Sequence, residues 1–222
     1  KYIVTFVPNG GYMDEADERQ EVKYDMTATE PPIIPPVSAE RIITLDGWYT
    51  ESQSDTHTDK CRKWDFDNDA VVQDVTLYAW WNETAPVASY QEEKEPAVIF
   101  ATLSEAVQYA NMRTGGTLKL LQDCVSEEAV SYVFRNDVTI DLNDKILSAD
   151  NASGPVISAV GADLTVEGGM NGTGSIINTA GADAEVISTS DYTKELRIAS
   201  GRFKGDIVYS NVPEGKKPNG NI

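Results

Sequence analysis

Residues 154–190 read GPVISAVGADLTVEGGMNGTGSIINTAGADAEVISTS. Short runs of Val, Ile, Leu, Ser and Thr alternate with Gly, Asn and Asp, and no run exceeds the length of a short strand. PVISAV at 155–160 returns as EVISTS at 185–190, 30 residues later. Working outward, Ile146 and Ile176 are also 30 apart. VTIDL at 138, LTVEG at 164 and LRIAS at 196 repeat at intervals of 26 and 32. Three strand types thus share a period, in about three periods. A hairpin sandwich also gives short strands, but not a common period across three of them. Stacking does, because each turn of such a chain cannot bury its inner face alone and covers its neighbour. The expectation is a parallel solenoid.

Upstream, VIFATLSEAVQYANMRTGG predicts a helix. Thr102 and Glu105 form a capping box, and Leu103, Ala106, Val107 and Ala110 share one helical face. Thr114-Gly115-Gly116 ends it and TLKLLQD follows as a strand. Before about residue 85 the composition changes to aromatic and charged. YIVTFV is an alternating strand closed by Asn9-Gly10-Gly11; EVKYDMTAT, RIITLDGWYT and DVTLYAWW follow as strands, with the prolines of EPPIIPP between. The expected organisation is a module at 1–84, a linker at 85–96 and a second module at 97–222.

The 222 residues carry 18 Lys and Arg against 36 Asp and Glu, a net charge of −18. That charge repels nucleic-acid phosphates and anionic lipid, so neither is an expected partner. No stretch reaches the roughly 18 apolar residues of a membrane span. The chain starts at Lys1 and enters a strand directly, which suggests a segment of a longer chain. Cys61 and Cys124 form no CxxC pair and have no histidine at zinc spacing, so two unpaired thiols are expected, with a bridge between the modules as the alternative.

The pieces VTFVPNGG (4–11), EVKYDMTATEP (21–31), LDGWYT (45–50) and KWDFDNDAVVQDVTLYAWW (63–81) resemble the Listeria–Bacteroides repeat, the internalin B-repeat family. The resemblance implies a small α+β module of β-grasp type, found in secreted and surface-anchored bacterial proteins as stalk or adhesive unit. The insert YMDEAD and the long TESQSDTHTDKC depart from that pattern, so loop functions do not carry over. FATLSEAVQYANMRTGGTLKLLQD and DVTIDLNDKILSAD resemble the capping helix and first full turn of right-handed parallel β-helices of the pectin-lyase-like kind. Some such proteins cleave polysaccharides and many are plain scaffolds. The fold class expected is therefore mostly β: a β-grasp repeat followed by a short right-handed parallel β-helix with an N-terminal capping helix.

The candidate chemistry is sparse. Asp65, Asp67 and Asp69 start like a calcium loop, but the sixth and twelfth positions are Ala70 and Thr76 where Gly and Glu are needed. His57, the single histidine, stands in a polar loop without a second ligand, and no serine sits in a GxSxG context. With 36 acids, some carboxylate pair meets any spacing expected of a glycosidase, so spacing decides nothing. Lys145, Lys194, Arg197, Arg202 and Lys204 could supply a lyase base, but about three turns leave little groove for a polymer. GGMNGTG (168–174) precedes a strand, not a helix, and reads as turns between successive coils, not a phosphate loop. Trp48, Trp64 and Trp81 fit a core. Trp80 points opposite to Trp81 along a strand, and is the candidate for stacking on a sugar or a protein surface; packing within the protein is its other reading. No catalytic residue, metal ligand or cofactor is assigned. The expected role is a non-catalytic extracellular segment of a bacterial cell-surface protein, attached through other parts of its chain. It would act in adhesion, display or spacing, with a host or cell-surface protein or glycan as partner. The start of a carbohydrate-active β-helix enzyme, or a glycan-binding module without cleavage, are the alternatives.

Overall fold

Alternating burial along Tyr2–Val7 and Val75–Thr84 sets the frame of the first half. In the computed structural model, which describes residues 1–54, 58, 60–181, 183–190, 193 and 195–209, the chain divides into two compact units, Lys1–Thr84 and Ala85–Ile222. Each has its own apolar core.

The first unit holds β1 (Tyr2–Val7), β2 (Arg19–Val22), β3 (Met26–Thr27), β4 (Ile42–Tyr49), β5 (Ala70–Val71) and β6 (Val75–Thr84). Its main sheet has the order β2-β1-β6-β4, with β1 and β6 parallel at the centre and both outer pairs antiparallel. One face presents Val4, Phe6, Leu77, Ala79 and Trp81, all buried, and Trp48 and Trp64 complete that core. Phe6 meets Trp48 edge-on with ring centroids 5.1 Å apart.

Two expectations for this unit change. EVKYDMTAT is not one strand: the chain turns at Asp25, whose φ is +63°, and β3 leaves to pair with β5. The α+β reading predicts a helix, and none occurs among the described residues of this unit. Between β3 and β4, Pro31, Pro32, Pro35 and Pro36 withhold amide donors, and the segment joins no sheet beyond a single bridge between Tyr12 and Ile34.

The second unit begins with β7 (Ala88–Gln91) and β8 (Val98–Phe100), then α1 (Leu103–Ala110). Segment 85–96 is therefore not a linker. β7 pairs with β8 and, across the sheet, with the strand after α1, and Ala88 and Tyr90 are buried. Pro86 and Pro96 bracket a short apolar run that is long enough to enter a sheet. In α1 the side chain of Thr102 accepts from the Glu105 amide at 3.2 Å, and the Glu105 carboxylate accepts from the Thr102 amide at 3.2 Å. Leu103, Ala106, Val107 and Ala110 are all buried, as the spacing predicts.

The remaining strands recur in threes. β9 (Gly116–Leu120), β10 (Cys124–Ser126) and β11 (Tyr132–Phe134) make the first coil; β12 (Val138–Asp141), β13 (Ile146–Ala149) and β14 (Ile157–Ala159) the second. β15 (Leu164–Glu167), β16 (Ser175–Asn178) and β17 (Glu185–Thr189) make the third; β18 (Leu196–Ile198), β19 (Arg202–Lys204) and β20 (Asp206–Tyr209) the fourth. Every strand from β9 to β17 pairs in parallel with the strand three later, giving three parallel stacks. There are four coils rather than three, because the first has the interrupted sequence CVSEEAVSYVF and shows no clear period.

The inner faces align in columns. Leu118, Ile140 and Val166 stand in one, and Leu147 and Ile176 in another, all buried. A buried polar pair joins the second and third coils. The Asn178 side-chain amide donates to the carbonyls of Asn151 (2.8 Å), Glu185 (2.8 Å) and Gly154 (3.2 Å), and its oxygen accepts from the Asn151 amide at 3.1 Å. GGMNGTG is the turn between β15 and β16, within the third coil rather than between coils: Thr173 and Asn171 donate to the Asp144 carboxylate, which those bonds hold below the usual carboxylate range.

Candidate functional site

Trp80 lies on β6 between the buried Ala79 and Trp81, and so projects from the opposite face of the sheet. It does not stand free there. Its ring stacks on Tyr49 with centroids 3.9 Å apart and 14° between planes. Its Nε1–H donates to the Glu51 carbonyl at 2.8 Å.

A register shift makes that stack possible. β4 and β6 pair Leu45 with Trp81 and Gly47 with Trp80, leaving Asp46 as the extra residue of a bulge. Gly47 has φ +156°, and a Cβ there would come 2.3 Å from Lys63 Cε. The bulge turns the Asp46 carboxylate sideways, where it accepts from the Tyr49 hydroxyl and from Asn82 Nδ2 at 3.0 Å, with Lys63 Nζ at 3.6 Å. These donors, the Tyr49 hydroxyl foremost, hold the Asp46 carboxyl below the usual range. The same bond, with burial, pushes the Tyr49 phenol up to about 12. The cluster locks Tyr49 under Trp80 and offers no nucleophile or free base.

Trp81 is buried, and its Nε1–H reaches the carbonyls of Pro8 and Asn9 at 3.1 Å each. Trp48 and Trp64 are buried too, with no partner for their indole N–H groups. Three tryptophans thus sit in the core, as the sequence predicts.

The DFDND run closes on itself. Asp65 Oδ1 accepts from the amides of Asp67 (2.9 Å) and Asn68 (3.2 Å), and its Oδ2 from Asn68 Nδ2 (2.8 Å). The Asp69 carboxylate accepts from the Asp65 amide at 2.8 Å and pairs with Arg62. These carboxylates are turn caps. Among the described residues no three His, Cys, Asp or Glu side chains gather as metal ligands would. His57 and Lys194 lie outside the described residues.

Cys61 and Cys124 are free thiols, one in each unit. Burial pushes the Cys124 thiol up to about 11. Arg197 lies on β18 in one sheet, Arg202 and Lys204 on β19 in another, all exposed, and Lys145 precedes β13. Among the described residues no helix is long and apolar enough to cross a membrane. The structure adds one concave site that no sequence pattern singled out, a cleft lined by Tyr90, Glu92, Glu95, Pro96, Val98, Tyr109 and Arg113.

Residues 2–80 match the Listeria-Bacteroides repeat domain. That match covers the first unit nearly end to end. The repeat is a bacterial surface-associated domain. It includes Trp48, Trp64 and Trp80; Trp81 falls one residue beyond. No curated protein and no solved structure matches the chain.

Proposed function

We propose that this chain is a non-catalytic extracellular segment of a bacterial cell-surface protein that displays, spaces or attaches. In this reading the first unit is a β-grasp-type repeat and the second a short right-handed parallel β-helix capped by α1. The match of residues 2–80 to a surface-associated repeat carries the proposal. The central parallel pair of the order β2-β1-β6-β4 supports the β-grasp reading. Three parallel stacks of four coils, with α1 packed on the core beside the first, support the β-helix. Carboxylates occupied by turn amides and a tryptophan locked by a tyrosine suit a scaffold better than a reaction centre.

The test has two arms. Antiserum raised against the purified chain should label intact cells of the source bacterium, and the purified chain should release no product from a panel of polysaccharides. Labelling seen only after lysis would remove the surface assignment. Turnover by homogeneous protein, abolished by a point substitution, would replace the scaffold reading with an enzyme.

A further inference from the structure

In a chain held under tension at points outside the first unit, force enters that unit at Lys1 and leaves it at Thr84. The strands next to those two points are β1 and β6, and they lie side by side at the centre of the sheet. They run parallel, with Val4 opposite Val75 and Val7 opposite Tyr78. A pull at Lys1 drags β1 backward along its own axis, while a pull at Thr84 drags β6 forward. The two strands are therefore sheared past one another. Bonds in a parallel ladder are evenly spaced and slanted, so they carry such a load together. An antiparallel terminal pair, entered and left at the same end, would instead open one bond at a time.

Side chains lengthen this seam beyond the paired residues themselves. At one end Asp74 Oδ1 accepts from the Ile3 amide at 2.8 Å. At the other, past the end of β1, Asn9 Nδ2 donates to the Ala79 carbonyl at 2.9 Å. Trp81 Nε1–H reaches back from β6 to the carbonyls of Pro8 and Asn9 at 3.1 Å each. Asn9 holds φ +45°, a left-handed conformation that asparagine adopts more readily than most residues. One face of the seam is closed by Val4, Phe6, Leu77 and Ala79, all buried. That cover keeps water, the competing hydrogen-bond partner, from the ladder as it is strained.

We propose that β1 and β6, tied at their ends by Asp74, Asn9 and Trp81, form a shear-loaded clamp through which the first unit bears tension along the chain. Forced unfolding is governed by the barrier out of the native state rather than by net stability, so direction of pull matters as much as the number of contacts. The clamp is directional: the same seam resists a pull along the strands and yields to one across them. Its setting rests on the surface-protein reading, since a stalk or spacer outside the cell is what gets pulled. The register places Thr84 about 40 Å beyond Lys1 along the strand axis, at roughly 3.3 Å per residue. Full extension of Lys1–Thr84 at up to about 3.6 Å per residue gives roughly 300 Å, so rupture should release about 260 Å of chain.

The test is single-molecule pulling of the full 222-residue chain in optical tweezers. DNA handles are joined to engineered cysteines in a Cys61→Ser, Cys124→Ser background, since both native thiols are free. Handles at Lys1→Cys and Thr84→Cys shear the seam. Handles at Lys1→Cys and Gln73→Cys, exposed positions beside the starts of the two strands, peel the same seam from one end. At one loading rate the shear force should exceed the peeling force at least about threefold, because the bonds fail together rather than singly. Asp74→Ala and Asn9→Gly should each lower the shear force; glycine keeps the left-handed turn at residue 9 and removes only the side-chain bond. Trp80→Ala, whose ring packs on Tyr49 of β4 outside the seam, should leave the shear force nearly unchanged even as it lowers the urea midpoint. Equal forces in the two geometries overturn the proposal. So does a shear force untouched by both seam variants, or one that falls with Trp80→Ala as far as with them. Where a seam variant fails to fold, the comparison of geometries on the parent protein decides alone. Failure of this test leaves the cell-labelling result standing, and loss of surface labelling would leave the measured dependence on direction in place.

Discussion

Replacing Asn178 tests the stacking of the coils most directly. Its side chain is fully buried and serves five backbone groups: the carbonyls of Asn151, Gly154 and Glu185, and the amides of Asn151 and Ala180. Asn178→Ala leaves all five without that partner. The two Asn151 bonds are wholly buried, and each orphaned group there costs roughly 1–3 kcal/mol, so the pair gives about 2–6 kcal/mol. The other three, half-buried, can turn to water at smaller cost. Against a net stability of about 5–15 kcal/mol for a folded domain, that is a large fraction. Asn178→Asp should be worse at neutral pH, because it aims a carboxylate at three carbonyls, and should recover in part on acidification. The assay is guanidinium unfolding followed in parallel by far-UV circular dichroism and by tryptophan fluorescence. All four tryptophans lie in the first unit, so fluorescence serves as an internal reference. The dichroism transition of the second unit should move to lower denaturant while the fluorescence midpoint stays in place. A loss below about 1 kcal/mol, or a shift confined to the fluorescence transition, would refute the ladder as a mainstay of the stack.

Three further outcomes follow from the first unit and the thiols. Trp80→Ala should destabilise the first unit by about 1–3 kcal/mol in urea titrations, through lost stacking on Tyr49 and lost burial. The Asp46–Tyr49 bond should make that unit's stability fall at both extremes of pH. The lowered Asp46 pKa contributes stability that is present above about pH 4 and lost as pH falls through the folded value. The raised Tyr49 pKa contributes stability that is full below about pH 10 and lost as pH rises toward about 12. Urea midpoints of Tyr49→Phe against pH should lack the alkaline fall. Cys124, its thiol pushed up by burial, should react slowly with iodoacetamide at pH 8 in the native chain, and at the rate of a free thiol once unfolded.

What the sequence determined is what neighbours along the chain decide. The capping box at Thr102 and the buried face of α1 depend on residues three and four apart. The shared period of VTIDL, LTVEG and LRIAS follows because parallel stacking places like residue over like. The inward placement of Trp81, opposite to Trp80, follows from strict alternation along β6. The tertiary structure decided matters of register and approach. Trp80 was legible as outward-facing but not as locked, because the lock needs one extra residue at Asp46 to bring Tyr49 beneath it. The strand at Ala88–Gln91 was hidden between two prolines, since its partners lie across the sheet on β8 and β9. The seat of Tyr90 was hidden for the same reason: no local pattern records that its ring rests on Gly116, 26 residues away on β9. Periodicity is a property of the chain; a ring seated on a distant glycine exists only once distant segments have packed.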